Sequence, residues 1–274
     1  MKRRLSVLAA AAATMLMTGP ASAYMVYVSN EKDNTVSVVD SLPSGPDPEL
    51  FVLSPDGMRL FVANEDDILV TVIDLDSKKV LAEIPVGVEP EGMGISPDGK
   101  TMVNTSETTN MAHFIDTASH EITDNVLVDS RPRFAEFKPD GSEVWVTSEI
   151  GGTVSVIDNA TRAVTHKITF EIPGLRAESI QPVGVRITAD GMKAYVALGP
   201  ANRVAVVNTQ TYEVEKYVLV GQRVWQMAFT PDQKTIISTN GVSNDITFID
   251  VTSDEPVQSV TVGALPWGVV VSPN

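Results

Sequence analysis

An all-β fold built from one repeated unit is what this 274-residue sequence predicts, and three observations carry it. A turn phrase recurs as Pro55-Asp56-Gly57, Pro97-Asp98-Gly99, Pro139-Asp140-Gly141, Ala189-Asp190-Gly191 and Pro231-Asp232-Gln233, its aspartates 42, 42, 50 and 42 residues apart. A strand ending of the VID type recurs at Asp40, Asp74, Asp116, Asp158, Asn208 and Asp250, at steps of 34, 42, 42, 50 and 42. The runs around both phrases alternate apolar and polar residues, as half-buried strands do. Two registers that agree on a period near 40 residues, with room for four short strands each, are the signature of β-propeller blades.

The unit is clearest from Gly92 to Asp116: a strand (GMGIS), a tight turn (PDG), a second strand (KTMVNT), a polar loop (SETTN) and a third strand (MAHFID). Glycine in the turn takes positive φ cheaply, and the aspartate bonds its own backbone. Whole units begin near Phe51, Gly92, Phe134, Gly184 and Met227. Residues 25–40 supply a second and a third strand without a first, and Gly268–Ser272 reads as a first strand without the rest. Paired in one blade, these ends close a six-bladed ring and remove its open edges. The short step after Asp40 predicts that this blade lacks its fourth strand or keeps only a stub of it. The long step before Asp190 places an insertion at Phe170–Ile180, around Arg176, where loops can carry function.

Ahead of the repeats stand Lys2-Arg3-Arg4, an apolar run from Leu5 to Met17, and Ala21-Ser22-Ala23. That order is a secretory signal peptide, expected over residues 1–23 with cleavage before Tyr24. The run of 13 residues is short for a bilayer core of about 30 Å. Residues 24–274 then form a single propeller domain. The formal charge is −15, and loss of three basic residues takes it to −18. Such a chain does not hold nucleic acid or anionic lipid by bulk electrostatics, but can attract a cation or a basic protein. There is no cysteine, so neither disulfides nor a c-type haem attachment are available.

Two sets of residues share the face opposite the turns. After strand two come Glu31, Glu65, Glu107 and Glu149 at one phase of four successive blades, an anionic rim or a set of locally bonded loop residues. Before strand one, at the channel mouth, come Pro48-Glu49, Glu89-Pro90-Glu91, Arg131-Pro132-Arg133, Gln181-Pro182, Arg223-Val224-Trp225-Gln226 and Leu265-Pro266-Trp267. Arg131, Arg133 and Arg223 with Trp225 and Trp267 can hold a planar carboxylated ligand, because arginine pairs carboxylates bidentately and stacks on rings. Pairing of these arginines with Glu49, Glu91 and Glu136 is the competing expectation. The three histidines, His113, His120 and His166, lack metal-ligand spacing. No catalytic residue stands out.

The second strands VYVSNE, LFVANE, VWVTSE and AYVALG resemble the YVTN-type propeller repeat. Longer stretches, among them SNEKDNTVSVVD, SGPDPELF, NTSETTNMAHFID, RPRFAEF and VGQRVWQ, resemble the propeller proteins associated with pyrroloquinoline quinone (PQQ)-dependent catabolism. The resemblance implies seven blades, one more than the repeats here support. It also implies a periplasmic accessory or binding protein of a PQQ-dependent alcohol oxidation pathway, with PQQ or calcium as candidate ligands. A quinoprotein dehydrogenase or cytochrome is the implied partner. Two alternatives are a lactonase-type hydrolase with a mouth metal on Glu31, Glu65, Asn64 or Glu107, and an acidic scaffold for a basic redox protein. The dehydrogenase itself is a larger propeller rich in tryptophan motifs; three tryptophans and no cysteine argue against it.

Overall fold

The computed structural model describes residues 27–30, 35–38 and 40–271. The expected signal peptide, Met25, Glu31 and Ser272 lie outside them. Five four-stranded antiparallel sheets follow one another: β4 (Pro48–Leu53) to β7 (Lys79–Pro85), β8 (Pro90–Ile95) to β11 (Ile122–Leu127), β12 (Pro132–Phe137) to β15 (Val164–Thr169), β16 (Val185–Ile187) to β19 (Val214–Leu219), and β20 (Val224–Phe229) to β23 (Glu255–Thr261). A three-stranded sheet of β1 (Tyr27–Asn30), β2 (Thr35–Val38) and β3 (Asp40–Pro43) precedes them. Of the two outcomes that the spacing allows, the four residues of β3 are the stub.

Each turn phrase builds the same hairpin. Ser54 Oγ donates to Asp56 Oδ1 at 2.5 Å and accepts from the Arg59 amide at 2.9 Å, while Gly57 adopts φ +69°. Thr188 and Asp190 repeat the arrangement. In the last sheet Gln233 replaces the glycine and still takes φ +58°, which costs about 1 kcal/mol. The VID aspartates accept from backbone amides two or three residues on, at 2.7–3.1 Å. Asn208 does the same at 2.9 and 3.1 Å, because the motif needs only a carbonyl-type oxygen.

The core is divided between sheets. Phe61, Val70 and Val72 of one sheet meet Met93, Met102 and Ile115 of the next. Phe114 and Val103 then meet Val144 and Val146. Trp145 and Val156 meet Val196 and Ala205, and Tyr195 and Val206 meet Met227 and Ile236. Leu42 of β3 packs on Leu60, Val62 and Ile73. Stability therefore comes from stacking of neighbours, as in repeat proteins. Inner strands pass very close: a Cβ on Gly94 would sit 2.5 Å from the Ala135 carbonyl oxygen.

The ring closure expected from the sequence is not formed among the described residues. Gly268–Val271 adopt no strand, and β1 pairs only with β2. The approach to closure is nevertheless present. Thr105 Oγ1 donates to Pro132 O at 3.1 Å and Thr147 Oγ1 to Val183 O at 2.5 Å, each linking a second strand to the next sheet. Thr239 Oγ1 makes the equivalent bond to Trp267 O at 2.6 Å. The C-terminal segment thus makes the contact that inner strands make elsewhere, without forming a ladder.

Candidate functional site at the channel mouth

The mouth is built by an unusual backbone feature repeated around the ring. The residue before the inner strand takes positive φ although it is not glycine, at Asp47 (+51°), Glu89 (+57°), Arg131 (+59°) and Arg223 (+57°), and Leu265 (+52°) does the same ahead of the C-terminal segment. Several precede proline, which disfavours helical conformations further. Such strain is held by surrounding structure. The amides of Glu65, Glu107, Glu149 and Gly241 donate to the carbonyls of Asp47, Glu89, Arg131 and Arg223 at 2.8–2.9 Å. Each described rim residue after strand two is thereby tied to a strained residue before strand one. The two sets that the sequence separates become one site.

Glu107 and Glu149, among the described rim glutamates, do not bond their own loops. Glu107 and Glu149 are buried, and their carboxylates reach across to the arginines. Arg131 Nε lies 2.6 Å from Glu107 Oε2, and Arg133 Nη1 pairs with Glu107 Oε1. Arg133 Nη2 is 3.2 Å from Glu91 Oε1, and Arg223 Nη2 is 2.7 Å from Glu149 Oε1. Arg223 also donates to Gln181 Oε1 at 2.9 Å and stacks over Trp225 at 4.1 Å. The competing expectation therefore holds for Glu91 alone: Glu136 pairs instead with Arg186, at 3.1 Å. Glu49 stands on the acidic side, beside Glu91 and Glu65.

Carboxylates outnumber the arginines here, and their electrostatics show it. Burial pushes the Glu49 carboxyl up, and Arg133 and its bond with Glu91 only partly offset this. Burial raises Glu91 well above the usual range despite Arg133. Burial, then Glu49 and Asp47, push Glu65 up to about 7. On the other side burial pulls the Arg133 guanidinium down, but Glu91, Glu107 and Glu149 outweigh it and raise it overall. Asp47, Glu49 and Glu65 bring carboxylate oxygens within 4.8 Å of one another. Hard oxygen donors of that kind suit calcium or magnesium. A cavity of about 420 Å³ lies among Glu49, Glu65, Glu91, Glu107, Arg131, Arg133 and Trp267.

Asp47 is the member that the sequence reading misses, although it occupies the same pre-strand place as Arg131 and Arg223. Asn64 is not available as a ligand: it accepts from Ser44 Oγ at 2.5 Å and donates to Thr71 Oγ1 at 2.6 Å. The histidines lie elsewhere. His113 is buried against Ser106, Asn125 and the Gly87 amide, and His166 stacks on Tyr212 at 3.8 Å. In the insertion, a single 3-10 turn spans Ala177–Ser179 and Arg176 is exposed. What reaches the mouth is Gln181, the residue that follows the insertion.

Comparison with known proteins places the fold. A chain of Kuenenia stuttgartiensis Hydrazine Synthase superposes with a TM-score of 0.79 at 22% identity, covering 88% of this chain and 84% of that one. At that identity the likeness concerns the β-propeller-like fold alone. No curated protein matches the sequence. The choice-of-anchor I domain matches residues 67–237, from the first complete blade into the last, and the chain belongs to that family.

Proposed function

We propose that this is an exported, non-enzymatic binding protein that takes a cation at its channel mouth. The observation that carries the reading is the surplus of carboxylates: Glu49, Glu65 and Asp47 converge beside a buried cluster whose arginines are already engaged by Glu91, Glu107 and Glu149. A divalent cation would relieve that repulsion, whereas a carboxylated quinone would have to displace a buried glutamate from Arg133 or Arg223. The choice-of-anchor assignment supports a cell-surface or secreted protein, and among the described residues no helix is long and apolar enough to cross a membrane.

The finer reading is a periplasmic accessory of PQQ-dependent alcohol oxidation, and its support is the sequence resemblance. A sixth blade completed by both chain ends belongs to the same proposal, supported by the Thr239–Trp267 bond. Calorimetry with calcium chloride, and separately with PQQ, tests the site. Calcium should bind the wild type and bind Glu49→Gln and Glu65→Gln at least about tenfold more weakly, the order expected when a charged ligand is lost. PQQ binding lost on Arg223→Ala, without calcium binding, would replace this reading with the anionic one. Binding of neither, together with capture of a basic cytochrome, would leave the acidic scaffold.

A further inference from the structure

Below the mouth the channel changes character. A second cavity of about 600 Å³ runs from the level of Glu49 and Trp267 to Pro97 at the turn face. Its walls are largely apolar, with Phe51, Met93, Phe134, Phe137 and Trp267 among them. The size falls within the range of small-molecule sites, which combine apolar walls with a few placed polar groups.

Arg186 of β16 supplies the placed group. Its side chain lines this cavity and is 26% exposed. Three of its five N–H groups are engaged within the protein: Nε donates to Met227 O at 2.9 Å, and Nη1 donates to Glu136 Oε2 at 3.1 Å and to Val185 O at 3.2 Å. One face of the guanidinium covers the Phe134 ring at 4.5 Å. Among the described residues nothing accepts from Nη2, so its two N–H groups are the donors left for an occupant of the cavity. Held by β12, β16 and β20 at once, the guanidinium is in position before a ligand arrives, and little rotamer entropy is lost on binding.

The neighbours of Arg186 decide the charge of that occupant. Glu136 already balances the guanidinium, and burial pushes its carboxyl up, with Arg186 and the Ile187 amide only partly offsetting this. A carboxylate entering the cavity would set a second negative charge beside Glu136, below a mouth that already holds Glu49, Glu65 and Glu91. A cation would approach the free edge of an arginine. A neutral acceptor oxygen takes the unused N–H groups of Nη2 without either repulsion.

We infer that the lower channel binds a small, uncharged, mainly apolar ring molecule through a carbonyl oxygen that accepts from Arg186 Nη2. The apolar walls take the ring body, and Arg186 reads the one polar atom. A hydrocarbon of the same shape gains the walls but leaves the donor unmatched, which is how sites built around a hydrogen bond discriminate. The inference does not rest on cation binding at the mouth.

The test uses the full chain and three bicyclic probes: 1-tetralone, tetralin, which has a methylene in place of the carbonyl, and 2-naphthoate, an anion of similar size. Affinity is read by calorimetry, and the place of binding by the indole N–H resonance of Trp267, which is part of the wall. The wild type should bind 1-tetralone at least about tenfold more tightly than tetralin, the scale of a hydrogen bond from a charged donor, and more tightly than 2-naphthoate. Arg186→Met combined with Glu136→Met removes the donor and its counter-charge together, so no buried charge is left alone. That variant should still bind tetralin and should show no preference for 1-tetralone, so the lost preference cannot be assigned to unfolding. Arg186→Lys keeps a charge opposite Glu136 but loses the Nη2 edge; it should weaken 1-tetralone and not tetralin, and it carries the test if the double variant does not fold. Equal affinity for 1-tetralone and tetralin in the wild type, tighter binding of 2-naphthoate, or no binding of 1-tetralone at millimolar concentration would overturn the inference and leave water as the partner of Nη2.

Discussion

Replacement of Arg133 by methionine addresses the centre of the mouth. Arg133 is 9% exposed, and its partners Glu91, Glu107 and Glu149 are 3%, 7% and 4% exposed. Glu107 retains Arg131 at 2.6 Å after the change, and Glu149 retains Arg223 at 2.7 Å. Glu91 loses its ion pair and remains buried beside Glu49. Removing one partner of a buried ion pair costs about 3–5 kcal/mol. At about 2–4 °C per kcal/mol for a domain of this size, the melting temperature should fall by roughly 6–20 °C. Urea unfolding at pH 7.5 and at pH 5 adds a second reading. Without the guanidinium the Glu91 carboxyl rises further, so its folded pKa lies still higher above the unfolded value near 4.5. A group of that kind favours the folded state while protonated and loses that contribution as pH rises. The deficit of the variant should therefore be larger at pH 7.5 than at pH 5. Arg133→Met combined with Glu91→Leu should recover most of the loss, since no uncompensated charge then stays buried. A loss below about 1 kcal/mol in the single variant, independent of pH, would refute the account of a buried, mutually dependent cluster.

Glu65, whose folded pKa is about 7, should favour folding below pH 4.5 and lose that contribution as pH rises through 7; Glu65→Gln should flatten this slope and unfold at higher urea than wild type at pH 8. His113 is held neutral chiefly by burial, so stability should fall as pH drops below about 6.5, where the unfolded imidazole takes up a proton first, and His113→Gln should remove that component of the urea midpoint's pH profile. Gly94→Ala places a Cβ 2.5 Å from the Ala135 carbonyl and should cost about 1–3 kcal/mol in urea unfolding, whereas Gly57→Ala meets no atom and should suffer only from its φ of +69°.

The repeated architecture is legible because its signals are local. Asp56, Asp98 and Asp140 specify turns within four residues of themselves, and the alternation of LFVAN or VWVTS specifies a face without reference to distant residues. The site is legible only in its membership. Arg131, Arg133, Arg223, Glu91, Glu107 and Glu149 all reach the mouth, because one blade period returns each of them to the same end of the channel. Their pairing is not legible, since the bond between Arg223 and Glu149 spans 74 residues and joins two sheets that have a third between them in the chain. The sequence also favours local bonding for the rim glutamates, a sound prior for short polar loops. It fails here because the tie from each rim amide to a strained carbonyl one loop away turns the side chain inward. Ring closure is the other shortfall: Gly268–Val271 carry a strand pattern, but a pattern names a face and not a partner.

The division of the channel follows from the same periodicity. Adjacent positions along an inner strand point to different surroundings, so each level of the channel collects one residue from each blade. The upper level gathers Glu49, Glu91, Arg133, Trp225 and Trp267, so its character changes from acidic through basic to aromatic around the ring. A lower level gathers Val52, Gly94, Glu136, Arg186, Ala228 and Val270, where the only charges face each other on neighbouring blades. A ring of equal blades would repeat one residue type at each level and could recognise only a ligand with its own symmetry. Divergence at these levels, with the turn phrases kept nearly constant, separates the part of the repeat that stacks from the part that can select. The carboxylate surplus at the mouth ends where the Glu136–Arg186 pair and the apolar wall begin, so the two levels of the channel offer different chemistry.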